Sequence, residues 1–508
     1  MAYDCLYCGK EIQPQDVLFV SETAERYLDE IRWQFLKNCG MYSDDQEQSE
    51  EALDHKFAVL YHRVTEENVE RRDQNGFPRT IRARPCDGKT AAELAKVPAP
   101  EGEQPTEQGS EGFGAESAYA PMGMGAASPE AAVKSGETEE RILAVRVCPH
   151  CHCKLPGEFG LLDVHSIQLL GGRASGKTAF LICLHQQLNR QMSANHLGTA
   201  KLLEESERYL SHKVDYYEHV GTPRPTPVAE RIFPLVYEIT CYNGNVQKKA
   251  YVSINDIAGE GMRKEDYLYN LESLKRSRNL IYMIDPNQLN AGGYYEAYMQ
   301  NKAGKEIDDA SGYNECNNTD LALSINEIGS VFQQMMGEHK LDNIFLVMTK
   351  IDMPLAIETS MFSTGKLEIM SDIGKQHKGM VNKAVLAAVH RNVNAYVDQK
   401  MGVPPGSGYL VWLVAGAFHM KREQIFVTCV STHTLTSSGE RDENGNRVFR
   451  FENQYNSAGA KHRIIEPVLE ILWRLGLLNS GEATSAEASA PIRPADKKRK
   501  GLLHRRNQ

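Results

Sequence analysis

About a third of the way along the chain, eight residues carry the pattern G-x-x-x-x-G-K-[ST], which can wrap around a row of phosphates. They are Gly171, Gly172, Arg173, Ala174, Ser175, Gly176, Lys177 and Thr178. The glycines let successive backbone N–H groups point at the phosphates, and the N-terminus of a following helix adds its positive end. Lys177 is expected to neutralise the outer phosphates, and the Thr178 hydroxyl is expected to hold Mg²⁺.

The residues on either side of this loop also fit a phosphate site. An apolar stretch, residues 164–170, leads into the loop, and residues 179–184 continue it as a helix-like run. A phosphate-binding loop requires this order of strand, loop and helix. The pattern therefore predicts a polyphosphate ligand rather than a glycine-rich turn. Arg173 could contact phosphate or could be solvated.

A second motif, D-x-x-G at residues 256–259, ends the strand-like stretch 250–255. Asp256 is expected to hold Mg²⁺ through water, and the Gly259 N–H is expected to sense the γ-phosphate. The structural alternative is an Asp side chain that bonds the loop after it. Asp285 is a competing magnesium carboxylate because it also follows an apolar run, and an ATPase would use it.

A third motif, residues 349–352, matches [NT]-K-x-D and indicates which base is bound. The Asp352 carboxylate can accept two hydrogen bonds from the N1–H and N2–H₂ edge of guanine, and Lys350 can lay its aliphatic stem over the purine face. Adenine offers no such pair of donors, so Asp352 predicts selectivity for guanine. The order of the three motifs favours Asp256 over Asp285 as the magnesium ligand.

These motifs together resemble those of the translation-factor-related (TRAFAC) class of P-loop GTPases, over about residues 164–478. The resemblance implies binding of GTP or GDP with Mg²⁺ at residues 171–178, Asp256, Gly259, Thr349, Lys350 and Asp352. It also implies a switch threonine before the second strand, for which Thr226 is the better candidate and Thr222 the alternative. A short base-contacting loop after the sixth strand falls near Ser431.

One departure from the family concerns hydrolysis. The family often places Gln just after D-x-x-G to orient the attacking water, whereas this chain has Glu260. Glu260 could still orient or deprotonate water, so the expected catalytic residues are Lys177, Thr226 and Glu260. Hydrolysis is then expected to be slow, or to need a partner. Because of Glu260, a second function stays open, namely that of a scaffold that holds GTP without hydrolysing it.

Two C-x-x-C pairs have the spacing of zinc knuckles: Cys5 with Cys8, and Cys148 with Cys151. Four thiolates in tetrahedral geometry make a closed structural site, and the long gap between the pairs is explained if an insertion separates them. The alternatives are two separate metal clips or reduced thiols without metal. Three residues close to the second pair could substitute as metal ligands: His150, His152 and Cys153. Two further cysteines, Cys39 and Cys86, are expected to be isolated.

An N-terminal zinc ribbon before such a GTPase domain resembles the bacterial double-GTPase-type, or conflict-system, GTPases. That resemblance implies a GTP-hydrolysing molecular switch that regulates an unidentified effector protein.

The chain alternates strand and helix patterns from residue 164 onward, which predicts a three-layer α/β domain with a mostly parallel sheet. Strands are expected at 164–170, 232–241, 248–256, 279–285, 343–349 and 424–430, and helices at 24–39, 263–278, 320–336, 381–400 and 464–475. The long connections 286–319, 354–379 and 434–462 are expected to be insertions.

The expected domains follow from these patterns and from composition. A zinc-knuckle and helical region (1–89) is followed by a disordered linker or insertion poor in large apolar residues (90–140), the second knuckle (141–160), the GTPase domain (161–479) and a disordered basic tail (480–508).

Bulk properties exclude several classes of protein. The net charge of −10 argues against a protein that coats nucleic acid, although the basic tail leaves zinc-ribbon nucleic-acid binding as a weak alternative. The longest apolar stretch, 409–418, is too short to span a bilayer, and no signal peptide is expected. We therefore expect a cytoplasmic protein without membrane contact, whose eleven cysteines do not form disulfides.

We expect the Asp352→Asn variant to shift its preference from GTP towards xanthosine triphosphate, because the altered base edge needs a donor in place of the carboxylate. Competition binding with the two nucleotides measures this preference. Unchanged selectivity for guanine in the variant would contradict the assignment of Asp352 to the base.

Overall fold

The computed structural model describes residues 3–25, 60–84, 86, 90, 91, 93, 140–172, 175–220, 233–243, 246–256, 277–286, 321–336, 341–351, 380–441, 447–451 and 461–481. The chain divides into two units, and each is described by itself. The first includes Met1–Leu162, and the second includes Asp163–Val228 and Ile232–Gln508.

The first unit consists of short strands in three small antiparallel sheets. Their strand orders are β1-β2, β4-β3-β8 and β5-β6-β7. The elements are β1 (Tyr3–Asp4), β2 (Glu11–Ile12), β3 (Leu18–Val20), α1 (Glu22–Glu25), β4 (Tyr61–Arg63), β5 (Val69–Arg72), β6 (Pro78–Ala83), β7 (Arg141–Leu143) and β8 (Val145–Val147).

Aromatic side chains supply much of the apolar interior of this unit. Phe77 and Phe159 are fully buried and meet edge to face with ring centroids 5.5 Å apart, and Tyr3 packs against Phe77 at 5.4 Å. The buried Arg146 guanidinium lies over the Phe77 ring and donates to the Pro156 carbonyl at 2.8 Å. Its charge is thus held between a π face and backbone oxygens, which offsets part of the cost of burying it.

The second unit is built on a seven-stranded sheet with the order β10-β11-β12-β9-β13-β14-β16. Its strands are β9 (Asp163–Gly171), β10 (Gly198–Leu202), β11 (Leu235–Asn243), β12 (Val246–Asp256), β13 (Asn279–Ile284), β14 (Asn343–Met348) and β16 (Ile425–Cys429). The neighbours from β12 to β16 pair in parallel, whereas β10, β11 and β12 pair antiparallel. The predicted α/β fold with a mostly parallel sheet is confirmed.

Helices and smaller sheets complete this unit. They are α2 (Lys177–Ala194), α3 (Glu204–Val220), α4 (Leu321–Met336), β15 (Val381–Asn382), α5 (Lys383–Lys400), α6 (Tyr409–Ala417), β17 (Ser431–Arg441), β18 (Arg447–Phe451), β19 (Lys461–His462), α7 (Glu466–Arg474) and β20 (Ser480–Gly481). All six residues of β13 are buried, as expected for a central parallel strand covered on both faces. Within the described parts of the chain, no helix combines the length and apolar character needed to cross a bilayer.

The register of the parallel strands brings their carboxyl ends to one edge of the sheet. Asp256 lies beside Leu169, Met283 beside Gly171, and Met348 beside both Ile284 and Cys429. Residues that follow these strands are far apart in sequence but meet at this edge. Ligands of open α/β sheets bind at such an edge.

Most strands and helices that the patterns predict in the described residues are present, with ends shifted by a few residues. The hairpin predicted at 232–256 is β11 and β12. The patterns did not predict β10, α3 or α6, and the predicted insertion 434–462 contributes to a three-stranded sheet with the order β18-β17-β19. The predicted helices 24–39 and 263–278 and the long connections 286–319 and 354–379 fall wholly or mostly outside the described residues, as do the linker 90–140 and the tail.

Helices α4 and α6 pack closely because Gly329 has no side chain. A Cβ added at Gly329 would lie 2.5 Å from the Ala417 carbonyl oxygen and 2.8 Å from the Ala417 Cβ. By contrast, a Cβ added at Gly416 in α6 would meet nothing within 4 Å.

We expect Gly329→Ala to lower the free energy of unfolding by about 1–3 kcal/mol, because the helices must separate to admit the methyl group. The higher helix propensity of Ala acts in the opposite direction by up to about 1 kcal/mol, so net destabilisation would identify the packing conflict. Gly416→Ala is the matched control and should be neutral or stabilising. Urea denaturation of both variants measures this, and equal effects would contradict the close approach.

Candidate functional site

The loop between β9 and α2 is shaped by two glycines. A Cβ on Gly171 would lie 2.8 Å from both the Cβ and the carbonyl oxygen of Met283 on the neighbouring strand β13. Gly176, with φ of 88°, is the left-handed N-cap residue that precedes α2. A side chain at either position would therefore shift the loop away from the sheet or strain its backbone.

Lys177 lies at the first position of α2, and its ammonium group points back across the loop. Nζ donates to the Gly171 carbonyl at 2.7 Å and to the Gly172 carbonyl at 3.1 Å, and the side chain is buried. The charge is thus fixed within the curve of the loop, at the N-terminus of a helix. This arrangement can bind an anion, since a helix N-terminus favours negative charge.

The third motif contacts the phosphate loop directly. The Thr349 hydroxyl donates to the Ser175 carbonyl at 2.8 Å, and the Thr349 N–H donates to the Ile284 carbonyl at 2.9 Å. Thr349 is buried, so these hydrogen bonds are shielded from water. They join the phosphate loop to the ends of β13 and β14, and a nucleotide bound by the loop would lie beside the residues that follow Thr349.

Asp285 forms an ion pair with Lys350, a contact that the sequence patterns did not predict. The Lys350 Nζ lies 2.7 Å from the Asp285 carboxylate, and only 1 % of the Asp285 side chain is exposed. Lys350 has a φ of 50°, a left-handed conformation that is uncommon outside glycine. The carboxylate considered as a competing magnesium ligand therefore holds the lysine of the base motif.

The end of β16 is bonded to the same motif. Val430 donates its N–H to the Met348 carbonyl at 2.8 Å, and Ile351 donates its N–H to the Val430 carbonyl at 3.3 Å. Ser431 is buried in the next position, and its hydroxyl accepts the His433 N–H at 3.0 Å. The residue expected to contact the base thus directly follows Val430, which is bonded to Ile351 of the base motif.

The structure places part of the predicted nucleotide site and leaves part outside the described residues. Asp256 ends β12 beside Leu169 of β9, on the strand next to the one that precedes the loop, and Thr178 follows Lys177 in α2. Gly171, Gly172, Ser175, Gly176, Lys177, Thr349, Lys350 and Ser431 lie at the same edge. Arg173, Ala174, Thr222, Thr226, Gly259, Glu260 and Asp352 lie outside the described residues.

A second candidate site, in the first unit, is formed by four cysteine sulfurs. The Sγ atoms of Cys5, Cys8, Cys148 and Cys151 all lie within 4.8 Å of one another, and among the described residues they are the one such group of thiols, imidazoles or carboxylates. Cys5 and Cys151 are 3.7 Å apart, and Cys8 and Cys148 are 3.8 Å apart. Tetrahedral zinc with Zn–S bonds of ~2.3 Å would separate its sulfurs by about 3.8 Å.

The two cysteine pairs have matching backbone turns. The Tyr7 N–H donates to the Cys5 sulfur and the His150 N–H donates to the Cys148 sulfur, both at 3.4 Å. The residue after the second cysteine of each pair is left-handed, with φ of 72° at Gly9 and 56° at His152. Such N–H···S hydrogen bonds stabilise negative charge on sulfur, as metal ligation requires.

The other residues considered as ligands have different contacts. The Cys153 thiol lies 3.6 Å from the Cys151 carbonyl, the His150 ring contacts the Glu11 carbonyl, and the His152 ring stacks on Tyr61 at 4.9 Å. Cys86 is buried in a separate apolar cluster with Val20 and Leu60, and Cys39 lies outside the described residues.

Burial and neighbouring thiols shift the acidity of this cluster. Burial raises the pKa of the Cys5 and Cys148 thiols, whereas hydrogen bonds from the neighbouring thiols lower the pKa of Cys151. A bound divalent cation would reverse the effect of burial, since a coordinating thiol is deprotonated by the metal.

Comparison with known proteins finds a family match that covers the phosphate loop and the base motif. The family model described as Double-GTPase 2 matches residues 165–404. A protein of Mycolicibacterium smegmatis named as an ESX-1 scaffolding and assembly protein, SaeC, is 24% identical over 178 residues, covering 30% of this chain and 44% of that protein.

Two solved structures of the GTPase-like domain of Ski7 from S. cerevisiae are also similar to parts of this chain. One has GTP bound, and the other has GDP and inorganic phosphate. They are 12% identical with TM-scores of 0.24 and 0.25, and each match covers 53% of this chain and 43% of the other.

This chain spans less than half the length of the relative and of the two solved chains. Its family match begins within β9 and extends beyond α5, so it includes the phosphate loop and the base motif. Residues 165–404 of this chain therefore resemble P-loop GTPases of the double-GTPase type.

Proposed function

We propose that this chain binds GTP with Mg²⁺ at the carboxyl edge of the seven-stranded sheet and hydrolyses it as a molecular switch that regulates a partner protein. The observation that carries the proposal is the hydrogen bond from the Thr349 hydroxyl to the Ser175 carbonyl. It fixes the predicted base motif against the predicted phosphate loop, so one nucleotide can contact both.

In this proposal each residue has a distinct task. Lys177 and the N–H groups of residues 171–178 bind the phosphates, and Thr178 and Asp256 hold Mg²⁺, directly and through water. Asp352 reads the guanine edge while Lys350, held by Asp285, covers its face. Ser431 lies against the base from the other side of the motif.

The switch would act through Thr226 and Gly259. GTP, unlike GDP, offers a γ-phosphate that can order the segments carrying these residues, and a partner then reads the ordered state. Glu260 would orient or deprotonate the attacking water. A second candidate function is a scaffold that holds GTP without hydrolysing it. The relative that is named as a scaffolding protein favours this candidate.

We further propose that Cys5, Cys8, Cys148 and Cys151 hold one structural Zn²⁺, which makes the first unit a zinc ribbon. Four thiolates fill a tetrahedral site completely, so the metal would stabilise the fold and leave no position open for a substrate. Cysteines that bind a metal instead of forming disulfides, together with a GTP ligand, are typical of a cytoplasmic protein. The proposed domains are those expected from the sequence, with the ribbon formed by residues 1–89 and 141–160.

The hydrolysis proposal is tested by single-turnover release of phosphate from the purified chain preloaded with GTP and Mg²⁺. We expect slow release, and we expect Glu260→Ala to slow it roughly 10-fold or more without weakening GTP binding, because the water loses its orienting group. Lys177→Ala is the control that should lose binding itself. A chain that binds GTP but releases no phosphate would be the scaffold rather than the enzyme.

The metal proposal is tested by elemental analysis of protein purified without added metal. One zinc per chain is expected, and Cys148→Ser should lose it and lower the melting temperature, because a hydroxyl is a poor zinc ligand. Cys153→Ser is the matched control, since its sulfur lies outside the four-cysteine group. Equal zinc in both variants would contradict the ligand set.

A further inference from the structure

A buried ion pair joins the residues that follow strands β13 and β14. The Lys350 Nζ donates to the Oδ2 atom of Asp285 at 2.7 Å. The exposed fraction is 1 % for the Asp285 side chain and 20 % for the Lys350 side chain. The carboxylate therefore lies inside the protein, whereas the aliphatic stem of the lysine stays partly accessible to a ligand. Hydrogen bonds between two ionised groups are roughly twice as strong as those between neutral groups.

The backbone end of this lysine is fixed as well. Thr349, one residue earlier, donates its N–H to the Ile284 carbonyl at 2.9 Å and its hydroxyl to the Ser175 carbonyl at 2.8 Å. Lys350 itself has a left-handed φ of 50°, which residues other than glycine adopt rarely. The lysine side chain is thus held at its backbone by the bonds of Thr349 and at its ammonium group by Asp285.

The held side chain lies beside the phosphate loop. A Cβ added at Gly176, the residue before helix α2, would lie 3.7 Å from the Thr349 Cβ. Met283, two residues before the carboxylate of the pair, lies beside Gly171 in the sheet. The pair is therefore close in sequence to residues that contact both ends of the loop, and a nucleotide bound by the loop would reach the lysine stem.

A stem that is fixed in advance lowers the cost of binding a base. A long, unbranched side chain loses rotamer freedom when a ligand packs against it, and this loss weakens binding. A lysine whose ammonium group is already bound has lost most of that freedom before the ligand arrives. Its methylene groups contact the face of a purine, which is similar in bases that differ only at their edge. The ion pair therefore bears on affinity for a purine and not on the choice between purines.

We propose that Asp285 is a positioning residue of the nucleotide site, whose buried carboxylate holds the Lys350 stem in place for the face of a purine base. Its Oδ2 atom binds the ammonium group of the lysine and acts on the nucleotide only through that side chain. The inference rests on the proposed function, in which this edge of the sheet binds GTP.

The test uses the full chain with Asp285→Asn, which keeps the shape of the side chain and removes its charge. Three ligands are titrated with Mg²⁺: GTP, ITP, which lacks the 2-amino group of guanine, and inorganic tripolyphosphate, which has no base. We expect the affinities for GTP and ITP to fall by the same factor, about 5-fold relative to tripolyphosphate, because one hydrogen bond between charged groups is lost. Expressing the result relative to tripolyphosphate cancels the general effect of removing a negative charge near phosphates.

The three ligands separate the alternative roles of Asp285. A magnesium ligand would hold the metal for every phosphate ligand, so an equal loss for all three would overturn the positioning role. A loss confined to GTP would make Asp285 a residue that reads the guanine edge and would overturn it as well. An unchanged affinity for GTP relative to tripolyphosphate would show that the stem needs no carboxylate to meet the base.

A second measurement tests whether Asp285 acts through Lys350. In the Lys350→Ala variant the stem is absent, so adding Asp285→Asn to it should not lower the affinity for GTP relative to tripolyphosphate any further. Two residues that act independently would give losses that add. Additive losses would therefore contradict the proposal.

The matched control is Asp342→Asn. Asp342 precedes β14 and pairs with Arg278, which precedes β13, at 3.6 Å. The substitution removes one negative charge from the same two strands at the opposite edge of the sheet, and it should keep the wild-type affinity for GTP relative to tripolyphosphate. A similar loss in this control would assign the effect to net charge or to the sheet in general and would overturn the proposal.

Two further outcomes are decisive. Should Asp285→Asn fail to fold, Asp285→Glu keeps the charge but displaces the carboxylate by one methylene group, and it is expected to lower the affinity for GTP relative to tripolyphosphate; no reduction would contradict the proposal. Wild-type protein that binds tripolyphosphate but neither GTP nor ITP would refute the proposed function, and this inference with it.

Discussion

The parallel register of five neighbouring strands is the constraint on which the rest of the second unit depends. Because β12, β9, β13, β14 and β16 run in one direction and their ends align, Asp256, Gly171, Asp285, Thr349 and Val430 come to one edge of the sheet. Each lies at or just after the end of its strand, where the backbone is free to turn towards a ligand. The central strands are buried on both faces, so the apolar core holds this alignment in place.

Short polar contacts then convert aligned strand ends into a single site. Thr349 connects the phosphate loop to the base motif, Asp285 fixes Lys350, and Val430 bonds both Met348 and Ile351. All of these contacts lie in a largely buried layer between the apolar core and the surface where the nucleotide is proposed to bind. Buried polar groups that satisfy one another favour one arrangement of the loops, because any displacement leaves a donor or acceptor without its partner.

The first unit differs from the second in what stabilises it. Its sheets are two- and three-stranded and its apolar clusters small, so hydrophobic burial provides limited stability. The four sulfurs come from two cysteine pairs that lie 140 or more positions apart in the chain. A metal bound to all four would stabilise the unit in place of a larger apolar core. The cluster therefore bears on how the unit folds, whereas the sheet edge of the second unit bears on which ligand is bound.

The sequence by itself determined the α/β class, the phosphate loop, the order of the three motifs and the presence of two C-x-x-C elements, because these depend on local spacing. That the two cysteine pairs meet was decided by the tertiary structure. The order of apolar residues in a run such as 343–349 predicts a strand from the local sequence alone. Local patterns did not predict α6, whose nearly continuous apolar run has no periodicity to identify it, or β10, which is short. Only the tertiary structure decided that Asp285 binds Lys350 and that the Thr349 hydroxyl donates to the Ser175 carbonyl. Those contacts join residues whose partners are set by strand register and helix packing, and no spacing along the chain encodes that proximity.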